Sequence, residues 1–263
     1  MLLAAAAFAA GVLNAIAGGG SFLTFPALVF TGVPPIMANA TSALAVSPGY
    51  LGSTLGFRAE LRELPAARLR REMGIAAAGG VMGALLLLAT PARLFTGLVP
   101  WLLLFATVLF AAGPAIARRS RAAVAAPAMT AADEAGGPLP SPGTPAAWKD
   151  PALLAVAIYG GYFNGGLGIL LMALYTVAGE PRLNTVNALK NLNSLVLSWL
   201  SVAAFVMAGA VAWAPGLLMM GAATLGGYVG AHGARRLPVA GVRAVVIATG
   251  VAMSAVFFAR QAG

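Results

Sequence analysis

The sequence has no cysteine, a single histidine and only seven acidic residues, and each shortage closes off a kind of chemistry. Without cysteine there are no disulfides and no thiolate metal sites. Charged residues make up 9% of the chain, whereas soluble domains carry about 25%. An enzyme working inside a membrane would need a Ser/His, Asp/Asp or His/Glu set at membrane depth, and no segment supplies one. The acidic residues Glu60, Glu63, Glu72, Asp133, Glu134, Asp150 and Glu180 all fall in expected loops or at segment ends. No buried carboxylate relay for protons or Na⁺ is therefore expected, although Glu72 and Glu180 have the reach to turn inward. His232 closes a segment beside Arg235 and is expected at an interface.

What the chain has in abundance is apolar surface and glycine. Hydrophobic residues make up 60% of the 263 positions, and 33 are glycine. This is the composition of a polytopic membrane protein whose helices approach one another through small residues. The net charge of +9 is not a nucleic-acid signature, because the basic residues lie between apolar runs, where they set topology. The opening Met1-Leu2-Leu3-Ala4 run has no Lys or Arg ahead of it and leads straight into a glycine break, so it is expected to be a retained membrane segment rather than a secretion signal. The expected surroundings are thus the lipid bilayer, with no nucleic-acid partner, no cofactor and no metal. The oligomeric state is not written in the sequence.

Taken in order, the pattern predicts a short segment Leu2–Ile16, a break at Ala17-Gly18-Gly19-Gly20, and a second short segment Phe22–Phe30. Both are too short to cross a bilayer core of about 30 Å at about 1.5 Å per residue. A long segment Ile36–Phe57 follows Pro34-Pro35, then a loop Arg58–Arg71 with five arginines and two glutamates. Further segments are expected over Glu72–Ala89 and Leu94–Ala117, separated by the turn Thr90-Pro91-Ala92-Arg93. Residues 118–149, rich in Ala, Pro, Gly, Ser and charge, are expected to form a flexible cytoplasmic linker. The pattern then restarts: Pro151–Phe163, a break at Asn164-Gly165-Gly166-Leu167-Gly168, Ile169–Ala178, and long segments Asn184–Met207, Trp213–Ala231 and Pro238–Ala259. The expected fold is an all-α polytopic membrane protein of two five-segment repeats, 1–117 and 150–263, each a glycine-broken short pair followed by three longer helices.

Charge chooses between two orientations of the halves. With both short pairs returning to their side of entry, or both members crossing, placing Arg58–Arg71 inside leaves thirteen Lys and Arg residues inside and only Arg93 and Arg260 outside, with Lys190 in the membrane. A single crossing per pair lowers the bias to ten against five. The positive-inside rule favours the first arrangement, an inverted repeat with both termini outside.

In inverted repeats a substrate site lies near the midplane, where broken helices aim N–H groups and positive dipole ends at an anion. Gly18, Gly19, Gly20 and Ser21 open one half-helix; Asn164, Gly166 and Gly168 mark its counterpart, and Asn14 precedes the first break as Asn164 precedes the second. The same glycines could equally serve a tight turn or close helix contact. The long segment after the second break carries Asn184, Asn187, Asn191, Ser194, Ser198 and Ser201, at spacings that put them on one helix face. The first half has a softer version in Asn39, Thr41 and Ser42, with Gly49, Ser53 and Gly56 near the same face. The serines read as interhelical hydrogen-bonding groups, and the asparagines near the breaks as site residues. Lys190 falls inside a span, about 9 Å deep. It is either an anion-attracting charge or a lysine whose stem snorkels to the interface. The candidate substrate-contacting set is Asn14, Gly18, Gly19, Gly20, Ser21, Asn39, Thr41, Ser42, Asn164, Gly166, Gly168, Asn187, Lys190, Asn191 and Ser194, with no catalytic residue.

The stretch GVLNAIAGGGSFLTFPALVFTGVPPIMANATSALAVSPGYLGSTLGFRAEL resembles the first repeat of the TauE/SafE family, often called sulfite exporters. It matches that family's signature at Asn14, Gly18, Gly19, Gly20, Pro26, Gly32, Asn39, Thr41 and Ser42. YGGYFNGGLGILLMALYTVAGEPRLNTVNALKNLNSL resembles the second repeat, with Gly-Gly-Leu-Gly-Ile where a glycine triplet is commoner. The resemblance implies export of sulfite or related sulfur-containing anions, such as organosulfonates, across the bacterial inner membrane. An anion leaving a cell that is negative inside gains about 2.3 kcal/mol per charge per 100 mV, so uniport suffices. A proton-coupled transporter of another small solute is the alternative. The topology is checked with single cysteines and an impermeant thiol reagent on intact cells: a residue in Arg58–Arg71 is expected to stay unlabelled, and labelling from outside overturns the assignment.

Overall fold

In the computed structural model, residues 1–16, 19–134, 148–233 and 239–262 are described, with side chains described throughout these except at 15–16, 114–134, 231–233, 239–240, 242–243, 245–246 and 260–262. They form eleven helices and, among the described residues, no strand. The helices are α1 (Leu2–Ile16), α2 (Ser21–Phe30), α3 (Pro35–Gly56), α4 (Arg58–Arg62), α5 (Ala66–Ala89), α6 (Ala92–Glu134), α7 (Lys149–Tyr162), α8 (Leu167–Val177), α9 (Leu183–Met207), α10 (Trp213–Gly233) and α11 (Val239–Ala262). Among the described residues three stretches are long and apolar enough to cross a membrane, Ala66–Ala89, Ala92–Gly113 and Leu183–Met207. The all-helical architecture and the two short pairs are as the sequence predicts, but three boundaries differ. Part of the expected loop Arg58–Arg71 is helical, as α4 and the first turns of α5. The expected linker also shrinks: α6 continues through 118–134, where alanine-rich sequence favours helix, and Lys149 opens α7. Residues 135–147, and the calls on Ala17 and Gly18, lie outside the described residues.

The packing of the helices repeats when the halves are exchanged. α1 packs on α10 as α7 packs on α5, α3 on α10 as α9 on α5, α2 on α11 as α8 on α6, and α3 meets α9 at the centre. Each first short helix therefore leans on a long helix of the other half. Glycine makes both crossings possible. A methyl on Gly83 of α5 would overlap the Ile158 carbonyl of α7, and one on Gly161 of α7 would overlap the Gly80 carbonyl of α5. In the other pair, Gly11 of α1 meets the Ala223 carbonyl of α10, and Gly226 of α10 meets the Phe8 carbonyl of α1. Without a hydrophobic drive between helices in lipid, such backbone-close contact is what holds them together.

Contacts at the ends give the direction of several elements. Glu72 lies by Lys149, and further along Gly83 lies by Ile158 and Tyr162, so α5 and α7 run parallel. Both ends of the α7–α8 hairpin reach the N-terminal end of α5: Lys149 at its start binds Glu72, and Glu180 just past its end binds Arg68. The hairpin thus turns back at the end it started from. Helix α7, of 14 residues, is about 21 Å long, and α8, of 11 residues, about 16 Å. This basic end also joins the halves, through Arg182 to Glu63 at 2.6 Å and Asn184 to Glu60 at 3.4 Å. The C-terminus of α3 therefore meets the N-terminus of α9. Each hairpin closes on the same stop: Gly32 and Gly179 take left-handed φ values of 90° and 79°, and Val33 and Glu180 donate back to Leu28 and Tyr175.

Replacing Gly83 by Val is expected to cost about 1–3 kcal/mol by overpacking a crossing whose obstacle is backbone. Gly74→Ala, on the same helix with open space around it, is expected to be neutral or stabilising. Thermal midpoints in detergent check the pair.

Candidate functional site

The two breaks meet at the centre of the molecule. Phe22, one residue into α2, packs against Gly166 at the second break and against Phe110 of α6, with ring centroids 6.2 Å apart. Phe25 stands edge-on to Phe163 at 5.5 Å. Phe163 in turn contacts Tyr159 at 6.3 Å. A chain that stops being helical at this depth exposes backbone carbonyls, and two side chains cover them. Asn39 Nδ2 of α3 donates to the Tyr162 carbonyl at 3.0 Å, and the Tyr159 hydroxyl to the Gly165 carbonyl at 2.8 Å. Gly166 adopts φ 78°, ψ 4° as the cap of α8, a left-handed conformation that reverses the chain into the new helix without a Cβ penalty. At the first break the first residue of α2 is Ser21, and Gly20 lies so close to the Ala10 carbonyl that a Cβ would sit 2.7 Å from it. Gly19, Gly20 and Ser21 are all buried, though a Cβ on Gly19 would meet only the rings of Phe22 and Phe110 at ordinary contact distance.

The first-half candidates are largely engaged between elements. Thr41 Oγ1 accepts the Ala212 N–H at 3.0 Å, joining α3 to the α9–α10 connection. Ser42 shares a 2.6 Å hydroxyl bond with Thr24 of α2. Asn14 is half-buried, its amide against Gly49 of α3. Gly18 lies outside the described residues.

The second-half candidates are different, because they are buried and short of partners. Asn164 is 3% exposed, and neither its oxygen nor its nitrogen has a hydrogen-bond partner. On α9, Asn191 is buried, and the Ser194 and Ser198 hydroxyls are buried and unpartnered. Lys190 is 8% exposed and makes no ion pair among the described residues. Gly168 is buried in the first turn of α8. The stripe is shorter than the spacing predicts: Asn184 is exposed and bonds Glu60, and Asn187 is half-buried. Of its serines only Ser201 makes the expected interhelical bond, to the Gly80 carbonyl at 2.9 Å. Buried polar groups without partners are uncommon and costly, at about 1–3 kcal/mol each. Asn164, Ser194 and Ser198 each carry such a group, and Ser194 lies one turn along α9 from Lys190.

Of the acidic residues expected at segment ends, Glu72 does turn inward: it is 2% exposed, in the second turn of α5. The helix begins at Ala66 instead of Glu72, which places the carboxylate inside the helix bundle. Asn193 escapes the spacing argument: it is fully buried yet lies off the 3–4 spacing of the stripe, with Nδ2 bonded to the Tyr175 hydroxyl at 2.7 Å.

Two clefts open away from this centre. One, of about 710 Å³, is lined by Leu86, Thr90, Arg93 and Leu98 and ends on Tyr162. The other, of about 300 Å³, lies by Val33, Thr96 and Phe257.

The family model described as "Sulfite exporter TauE/SafE" matches residues 3–257. The chain belongs to the TauE/SafE family. Among relatives, "Probable membrane transporter protein ORF9" from a Sinorhizobium species is 30% identical over 238 residues, spanning 86% of this chain and 80% of that protein. "Probable membrane transporter protein" from Haemophilus influenzae is 30% identical over 230 residues, with 85% and 80% covered. "Probable membrane transporter protein YfcA" from Escherichia coli K12 is 27% identical over 263 residues, with 95% and 86% covered. No solved structure matches the chain significantly. This TauE/SafE member is thus a membrane-embedded protein of a transporter family, and its buried polar centre is to be understood in those terms.

In the empty protein Asn164 gains nothing from its amide, so Asn164→Leu is expected to leave thermal stability unchanged or raised. The same variant is expected to lose the stabilisation that a bound anion gives. A drop in the stability of the ligand-free protein would mark Asn164 as structural.

Proposed function

We propose that this protein exports sulfite or a related sulfur-containing anion, such as an organosulfonate, across the bacterial inner membrane. On this reading the site lies at the midplane between two inverted repeats, and the membrane potential drives exit. The observation that carries it is Lys190, buried on α9 without a counter-ion and next to Asn191, with the unpartnered Ser194 hydroxyl one turn on. A lone buried charge is expensive unless an opposite charge joins it. A tetrahedral or pyramidal oxyanion supplies that charge and also accepts hydrogen bonds from hydroxyl and amide donors, including Asn164.

The inverted arrangement is supported by α3 ending where α9 begins and by a packing pattern that repeats on exchange of the halves. The cytoplasmic side is assigned to the basic end by the positive-inside rule. The glycine breaks shape the cavity and bring N–H groups toward it, while Lys190 and its neighbours set the charge preference. In the closed arrangement the rings of Phe22, Phe25 and Phe163 pack between the breaks, and opening requires that they part.

Flux into and out of proteoliposomes loaded in turn with sulfite, sulfate, sulfoacetate, taurine and thiosulfate tests the proposal. A potential set by K⁺ and valinomycin is expected to drive sulfite or an organosulfonate without a pH gradient. Dependence on a pH gradient supports the proton-coupled alternative instead, and failure of every anion to bind or move ends the anion reading. Lys190→Gln is expected to lower flux by about tenfold or more, the loss of roughly 1.4 kcal/mol of anion stabilisation, with membrane insertion unchanged.

A further inference from the structure

The largest buried polar assembly in the described residues has no part in the transport chemistry above. Glu72 of α5 accepts from Lys149 Nζ at 2.5 Å and Arg68 Nε at 3.0 Å on one oxygen, and from the Tyr175 hydroxyl at 2.7 Å on the other. Arg68 continues to Glu180 at 2.7 Å. Lys149 lies 5.3 Å from the centre of the Tyr175 ring. The Tyr175 hydroxyl accepts from Asn193 Nδ2 at 2.7 Å, and that same nitrogen reaches the Leu189 carbonyl at 3.0 Å. One carboxylate therefore joins α5, both helices of the second hairpin and α9.

We propose that Glu72 is a positioning residue for the transport site. Through Lys149 it anchors the hairpin whose turn carries Asn164. Through Tyr175 and Asn193 it fixes the rotation of α9, and with it Lys190 one turn before Asn193 and Ser194 immediately after. This inference rests on the transport reading for its functional consequence, but its geometry does not. A buried ion pair adds little net stability over apolar packing of the same shape, so the cluster's effect is on which arrangement is adopted. Charge balance also supports a fixed assembly: two carboxylates face two cations, and both oxygens of Glu72 are occupied.

The other half has nothing comparable. Helices α1, α2, α3 and α10 contain no Asp, Glu, Lys or Arg. Where α8 is tied to α9 by Tyr175 and Asn193, α2 is tied to α3 by the neutral Thr24–Ser42 pair. The second hairpin is thus the pinned half of the site and the first hairpin the half free to shift against it, which lets access alternate while the anion's main contacts stay in register.

Two readouts test this on the full chain in detergent and in proteoliposomes. In hydrogen exchange without any anion, residues 149–177 are expected to exchange more slowly than 2–30. Tyr175→Phe, which keeps the Glu72–Lys149 pair but removes the link to Asn193, is expected to speed exchange over 183–198 and to raise KM for the transported anion about tenfold, with a lower thermal midpoint because one oxygen of Glu72 loses its hydroxyl partner. Glu72→Gln is expected to loosen 149–177 as well, and Glu72→Gln combined with Lys149→Met to recover much of that order. Unchanged exchange over 183–198 in Tyr175→Phe overturns the proposal, and so does an unchanged KM. If the wild type moves no sulfur anion, the functional reading fails while the exchange result still decides whether Glu72 positions α9.

Discussion

A helix that stops halfway through a bilayer leaves backbone N–H and C=O groups where water does not reach, and protein must cover them. Every other feature of the centre follows from that need. The carbonyls of Tyr162 and Gly165 at the second break are met by Asn39 Nδ2 and the Tyr159 hydroxyl. Because Asn39 belongs to α3 and Tyr159 to α7, the turn of the second hairpin is completed partly by its own half and partly by the other. The aromatic rings then exclude lipid and water from what remains. Glycine is required wherever a short helix must lie close enough to its covering helix to do this, at Gly79 and Gly83 on α5 and at Gly226 on α10.

The two halves share this plan but differ in how their polar groups are employed. In the first half the hydroxyls of Thr24, Thr41 and Ser42 satisfy one another or a neighbouring N–H. In the second, Asn164, Ser194 and Ser198 are left unsatisfied, and Lys190 is left unpaired. A protein does not ordinarily tolerate several such groups together. Their cost would be offset by a ligand that paired with them. The charged cluster around Glu72 stands beside the second half alone.

How much of this was legible in the sequence depends on the range of the interaction. Ten of the eleven helices follow from apolar run length, glycine breaks and proline placement, signals carried within a few residues. The exceptions are local too: α4 and the early start of α5 were hidden because charged residues read as loop, and the alanine-rich extension of α6 because small residues mixed with charge read as linker. Lys190 stood out since it is a lone charge in an apolar run, although its spacing alone did not separate an anion-attracting charge from a snorkelling stem. Asn193 did not, because helical spacing sets it apart from the stripe, and its role arises only from Tyr175, eighteen residues earlier. Glu72 was legible as a segment-end acid able to turn inward, but not its partners Lys149 and Tyr175, which come from positions 77 and 103 residues away.

The sequence by itself determined that this is an all-helical membrane chain with two interrupted hairpins, because apolar length and backbone self-satisfaction in lipid are properties of single segments. It also singled out Lys190, the one lysine within an apolar span. Only the tertiary structure decided which polar groups are satisfied, which are buried without a partner, and which carboxylate is sealed inside. Those outcomes depend on which helix covers which, and a hydrogen bond is made or lost over a few tenths of an ångström that no sequence spacing records.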